Sequence, residues 1–236
     1  MLRLLFSFFL VTGYCSAQQM TGIELLNKAI AYHDPQGQWA YFKGDLKISL
    51  DAEHRPNRET YLSIDLYAQY FQMRTEKEGI TLLQTVKKDT CRHLLDGSAD
   101  LSEEIIAKYN LTDHRLRLLQ DYYTYLYGLP MKLKDPGTII DPVTQDIEFK
   151  GKTYKVLSVS YEKSVGSDTW LFYFDPVTYS MEVYQFFKQD PNNDGEYILL
   201  SGEEIISGIK MPKVRAWYNN KDDKHLGTDV LSSPQS

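Results

Sequence analysis

The chain has 236 residues, a formal net charge of −6 at neutral pH, 42% hydrophobic and 25% charged residues, a balance that suits a soluble globular protein with a sizeable core. Mild acidity without a basic cluster argues against a nucleic-acid partner and against electrostatic adhesion to anionic lipid. Aromatic residues make up 13% of the chain, 18 of them tyrosine, which favours strands over helices.

The amino terminus sets the compartment. Met1-Leu2-Arg3 is a short basic start, Leu4 to Val11 an apolar run, and Cys15-Ser16-Ala17 offers small residues where a signal peptidase reads them. The pattern predicts a signal peptide over residues 1–17 and an exported protein of the periplasm or cell envelope. The apolar run is shorter than the roughly 20 residues a membrane-spanning helix needs. Tyr14 argues against a lipid anchor on Cys15, because a small residue normally precedes a lipidated cysteine. Cleavage removes Arg3, takes the charge from −6 to −7 and leaves Cys91 as the sole cysteine, so no internal disulfide forms. In its strand context Cys91 reads as a small hydrophobe.

Thr21-Gly22-Ile23-Glu24 is a capping box that opens a helix. Ile23, Leu26, Ala29 and Ile30 share a face, and the helix ends near His33-Asp34-Pro35, with His33 against free helix carbonyls. Trp39 to Leu50 and Tyr61 to Met73 read as two long strands joined by the polar turn Ala52 to Arg58, with Leu62, Ile64, Leu66 and Ala68 on one face of the second. Ile80 to Val86 and Thr90 to Leu95 form a hairpin. Ser102 then opens a short helix, and Thr112 caps a longer one with Leu116, Leu119, Tyr123 and Leu126 in a stripe, ended by Gly128 and Pro130. His114, in its first turn, is given no chemical role. A helix that interrupts a meander usually packs on the sheet face that would otherwise be exposed, or equally acts as a lid over it.

Strands resume from Thr138: Ile147 to Phe149, Tyr154 to Tyr161, Asp168 to Pro176, Met181 to Phe187, Tyr197 to Ile206, Ile209 to Tyr218 and His225 to Leu231. The total is about ten strands and two or three helices without a linker or repeat, which gives a single domain over residues 18–236. Trp170, Phe172 and Phe174 share one face of their strand while Leu171 and Tyr173 share the other. Both sides are therefore apolar, which fits a core on each face or a curved sheet with one face lining an apolar cavity.

No catalytic, phosphate-binding or dinucleotide motif is present, and the five histidines are scattered, so the chain reads as a non-enzyme without a cofactor. Asp190, Asn192 and Asp194 supply oxygen ligands at positions 1, 3 and 5 of a calcium loop with Gly195 at 6, but position 12 is Ser201 instead of glutamate. A hairpin turn accounts for the same residues, so no metal is assigned.

Asp168-Thr169-Trp170-Leu171-Phe172-Tyr173-Phe174-Asp175-Pro176, followed by Asp194-Gly195-Glu196-Tyr197 and Gly208-Ile209-Lys210-Met211-Pro212-Lys213, resembles an uncharacterised family of exported bacterial proteins that is similar to the lipoprotein-localisation carriers, the LolA/LolB-like superfamily. The resemblance implies an α+β fold: a strongly curved antiparallel sheet forming an unclosed half-barrel, with helices on its concave side and a cavity for acyl chains. The expected protein is a monomeric binding module for a lipid, a lipoprotein acyl chain or another apolar ligand. Leu62, Ile64, Leu66, Trp170, Phe172 and Phe174 are the wall candidates, and residues 112–127 the lid. The alternative is an envelope structural or protein-interaction module with a filled core and an exposed apolar patch.

Overall fold

The computed structural model describes residues 19–52, 57–77, 79–188 and 194–234. The predicted leader with Cys15, and Asp190 and Asn192 of the calcium alternative, lie outside them.

Helix α1 (Gly22–His33) begins with the predicted capping box: Thr21 Oγ1 accepts from the Glu24 N–H and the Glu24 carboxylate accepts from the Thr21 N–H. Leu25, Leu26 and Ala29 are buried, while Ile23, expected on that face, is exposed. After the helix, the Asp34 carboxylate accepts from the backbone of Gln38 and Trp39 at 2.7 and 2.8 Å. That double bond winds Trp39–Tyr41 into one turn of 3-10 helix where a strand was expected.

A meander follows: β1 (Lys43–Asp51), β2 (Arg58–Asp65), β3 (Tyr70–Lys77), β4 (Ile80–Lys87) and β5 (Thr90–Leu95). The single strand expected from Tyr61 to Met73 is in fact β2 and β3. The chain reverses between them because the Asp65 carboxylate accepts from the Ala68 N–H at 2.9 Å and Gln69 adopts a φ of +51°, a turn made without glycine or proline and so without the usual sequence mark. Leu66 lies half-buried at this reversal and Ala68 is exposed. Helices α2 (Glu103–Tyr109) and α3 (Asp113–Gly128) come next, capped by Ser102 and Thr112 as expected. His114 is exposed in the first turn of α3, and Cys91 is half-buried in β5.

The remaining strands are β6 (Thr138–Ile140), β7 (Gln145–Phe149), β8 (Lys152–Tyr161), β9 (Thr169–Phe174), β10 (Met181–Phe187), β11 (Glu196–Ile206), β12 (Ile209–Asn219) and β13 (His225–Ser232). All pairings are antiparallel, and the order is β5-β4-β3-β2-β1-β13-β12-β11-β10-β9-β8-β6, with β7 on β8. Among the described residues thirteen strands stand where about ten were expected: the β2/β3 division and the short β6 add two to the eleven segments named from the sequence. Among the described residues β5 does not pair with the β6–β8 edge, so the sheet is the unclosed α+β half-barrel that was expected.

The two edges are joined by the segment that carries α2 and α3, which brings α3 across the concave side. Leu116, Tyr123, Leu126 and Tyr127 of α3 join Leu25 and Leu26 of α1 against Phe42, Phe71, Phe172 and Phe174 of the sheet side. Each large apolar side chain buried here contributes about 1.5–3 kcal/mol. The opposite face of β9 is also covered: Tyr173 packs with Tyr154, Val156 and Val183, and Phe149 of β7 lies against them. Both sides of β9 are thus core.

His33 ties α1 to the sheet. Its Nδ1 lies 2.6 Å from the Lys210 carbonyl of β12, and its Nε2 accepts from the Met181 N–H of β10 at 3.0 Å. The partners are therefore strand groups, where free carbonyls of its own helix were expected, and they require the neutral ring with the proton on Nδ1. Burial lowers the His33 pKa from its ordinary value of 6.5, against the opposing effect of the Lys210 carbonyl and the Glu203 charge. The unfolded chain then binds the proton more readily than the folded one, so the stability held above pH 6.5 is lost as pH falls below that value. Denaturant midpoints measured between about pH 7 and 5 should decline on acidification. His33→Leu should flatten that decline and lower stability by about 1–3 kcal/mol at neutral pH, through the backbone groups left unpaired.

Candidate functional site

Antiparallel pairing carries side chains of the concave face along three rungs at one end of the half-barrel. The outermost rung is Trp170, Phe186, Glu196 and Asn219, across β9 to β12. The next is Phe172, Tyr184, Ile198, Trp217 and Gly227. The third is Leu200, Arg215, Asp229, Leu50 and Arg58, so Asp229 faces Arg215 across one strand boundary and Arg58 across the intervening Leu50. Helix α3 closes over these rungs incompletely. Between its Tyr122, Tyr125 and Leu126 and the strand ends lies a groove of about 660 Å³, in the size range of small-molecule sites. A smaller hollow of about 360 Å³ continues along α3 past Leu118, Tyr161 and Val165 and shares Tyr122, Tyr125 and Trp170 with it.

The walls are mainly aromatic. Trp170 packs against Phe186 with tilted rings and centroids 4.8 Å apart and meets Tyr125 edge-on at 5.8 Å. The Tyr125 and Tyr161 hydroxyls share a hydrogen bond of 2.5 Å. Burial pushes both phenols up in pKa, Tyr161 to about 12, so both are neutral hydrogen-bonding groups at ordinary pH. Tyr122 keeps nearly half its surface exposed, yet desolvation of its hydroxyl also raises its pKa.

Charge enters this apolar setting at defined points. Trp217 Nε1 donates to Asp229 Oδ2 at 3.0 Å, and burial raises the Asp229 pKa against the opposing effects of Trp217, Arg215 and Arg58. Burial also raises Glu196. Arg215 is 1% exposed. Its Nη1 donates to the Pro212 carbonyl at 2.7 Å, its Nη2 to the Leu126 carbonyl of α3 at 3.4 Å, and its guanidinium lies 4.1 Å from the Tyr127 ring centroid. It thus binds the carboxyl-terminal turn of α3 to β12, where exposed carbonyls favour a cation.

Of the six residues expected to form the wall, Trp170 lines this groove. Phe172, Phe174, Leu62 and Ile64 are buried in the packed core, and Leu66 lies half-buried against it. Leu62 and Ile64 also border a larger depression of about 940 Å³ on the convex face. There Lys43, Asp45, Ser63 and Arg74 make the surface polar, and Lys43 and Arg74 are ion-paired with Asp65 and Glu76. The aromatic groove is the better candidate for an apolar ligand. Asp194, the described member of the calcium alternative, carries a backbone carbonyl that accepts from Asn220 Nδ2 at 3.0 Å, and a side chain on Gly195 would collide with the Phe186 carbonyl.

Sequence reasoning missed Tyr122, Tyr125, Phe186, Trp217, Arg215 and Asp229. One signal was present: Val214-Arg215-Ala216-Trp217 puts a cation on the same strand face as a tryptophan.

A family model described as a family of unknown function, DUF6503, matches residues 3–233. The chain belongs to the DUF6503 family. No curated protein matches this DUF6503 chain in sequence. Among solved structures, the LolA superfamily protein NE2245 from Nitrosomonas europaea is similar to it with a TM-score of 0.50 at 11% identity, over 91% of this chain and 92% of that one. An outer membrane lipoprotein-sorting protein domain from Vibrio parahaemolyticus has a TM-score of 0.47 at 12% identity over 91% and 90%. A DUF1329 family protein from Desulfovibrio piger has 0.47 at 10% over 88% and 90%. At such identities the likeness to NE2245 is one of fold, and function has to be argued from the site.

Arg215→Ala should cost about 3 kcal/mol in chemical denaturation, from the carbonyls left unpaired and the lost packing on Tyr127. Hydrogen exchange should show the α3 amides opening more readily than those of β2 and β3. Equal acceleration in both regions would mean that Arg215 does not specifically hold the helix.

Proposed function

We propose that this protein is an exported, non-enzymatic carrier that holds a lipid, a lipoprotein acyl chain or another apolar ligand in the groove between α3 and the strand ends. The observation that carries the reading is the aromatic lining of a groove of about 660 Å³ at the open end of an unclosed half-barrel. An apolar chain laid on Trp170, Phe186 and Tyr125 would leave water at about 25 cal/mol for each Å² buried. Helix α3 acts as the lid. With α3 lifted, the wall would extend from Trp170 onto Phe172, Phe174, Leu62, Ile64 and Leu66, which lie in or against the core that α3 covers. The leader predicted over residues 1–17 places the single domain of residues 18–236 in the periplasm or cell envelope, where such ligands are handled.

An envelope interaction module is favoured by a separate observation. Tyr41 and Tyr67 are 66% and 79% exposed with ring centroids 6.0 Å apart, an arrangement that suits a protein surface. The groove discriminates the two readings, since a module that only packs against a partner needs none.

Two of the three tryptophans, Trp170 and Trp217, line the groove, so their emission reports its occupancy. Titration with monooleoylglycerol should shift that emission saturably. Trp170→Ala, followed by calorimetry, should weaken binding by about tenfold, and Val177→Ser on an exposed turn should leave it unchanged. A flat titration for the wild-type protein would refute the carrier reading.

A further inference from the structure

Resting on the reading that the groove holds an amphiphile, we propose that its mouth is selective for an ammonium head group, so that the ligand is an ammonium-headed lipid or a similar cationic amphiphile. Three carboxylates, Asp168, Glu196 and Asp229, line the groove together with Trp170, Phe186 and Trp217, against two cations, Arg58 at the depth of Asp229 and Lys188. Aromatic faces attract cations and repel anions, and quaternary and primary ammonium groups are the ligands that such surfaces recognise. A carboxylate beside the rings supplies the charge that an alcohol or sugar head group does not use.

The protein already places an ammonium of its own at this point. Lys188, just beyond the end of β10, holds Nζ over the Phe186 ring, 5.6 Å from its centroid. Its charge offsets part of the rise that burial imposes on the Glu196 pKa. Phe186 and Glu196 are direct cross-strand neighbours, so the Lys188 ammonium lies over a ring that adjoins a desolvated carboxylate. It sits on a long, mobile stem and can swing away into water when a ligand cation takes its place.

The other charges facing the groove divide by depth. Asp229 is on the third rung, opposite Arg215 and near Arg58, and also holds Trp217. Glu196 is on the outermost rung with Trp170 and Phe186, and the cation that acts on it is Lys188. An entering ammonium therefore meets Glu196 first. An anionic head group meets two carboxylates at the mouth, Asp168 and Glu196, and the negative faces of the rings.

Calorimetric titration of the purified protein with dodecyltrimethylammonium, dodecyl maltoside and dodecanoate, each below its micellar concentration and at one ionic strength, tests the assignment. The ammonium probe should bind about tenfold more tightly than either of the others. Lys188→Ala should tighten the ammonium probe and leave the maltoside unchanged, because an internal competitor has gone. Glu196→Gln should bring the ammonium probe down to the maltoside affinity. Equal binding of all three probes, or a weaker ammonium affinity in Lys188→Ala, would overturn the ammonium assignment and leave the carrier reading standing. Failure of every probe to bind would overturn both.

Discussion

Pairing of β1 with β13, in register from Lys47 opposite Ser232 to Asp51 opposite Thr228, puts the first and last strands side by side in the middle of the sheet. Two meanders then run outward from that seam, one ending at β5 and the other at β6, and among the described residues neither edge pairs with the other. The chain between those edges has to travel from one to the other, and the concave side is where its apolar stripe can be buried. That is why α3, which would be a marginal amphipathic helix alone, is held firmly through Leu116, Tyr123 and Leu126 against Phe71, Phe172 and Phe174 of the common core. It is also why its cover is incomplete at the strand ends, where the groove remains.

A buried arginine on the concave face is costly, and well-packed apolar replacements for buried ion pairs are often neutral or stabilising. Arg215 stays there because its donors reach two carbonyls and its cation lies over Tyr127, with Asp229 directly across the strand boundary. The arrangement fixes where α3 ends against the sheet. Tyr122 and Tyr125 occur one turn or so earlier on the same helix, so the width of the groove depends on that join. Position of the helix and shape of the groove are one problem, solved by a few polar contacts in an otherwise apolar interior.

Much of the fold was legible in the sequence because its signals are local. The capping box at Thr21, the caps at Ser102 and Thr112, and the period-two alternation along β2 each depend on residues within a few positions of one another. The β2–β3 reversal was illegible because a side chain of Asp65 makes the turn that glycine or proline would have announced. The groove was largely illegible for a different reason. Its lining comes from α3 and from seven strands, and membership depends on which rung each residue occupies after pairing. Phe172 and Trp170 share a strand face and look equivalent in sequence, yet one lies beneath the helix and the other beyond its cover. Single-strand periodicity identifies the face and carries no information about depth along the barrel.

The central claim is that the incomplete cover over the concave face is a binding site in the living cell. Native mass spectrometry of the protein isolated gently from its own envelope addresses it directly. A carrier should show a mass excess matching one amphiphilic molecule, recoverable by organic extraction and lost when Trp170 is replaced by alanine. A mass equal to that of the polypeptide alone, unchanged after incubation with extracted envelope lipids, would contradict it and leave the exposed Tyr41 and Tyr67 surface as the place to look for a partner.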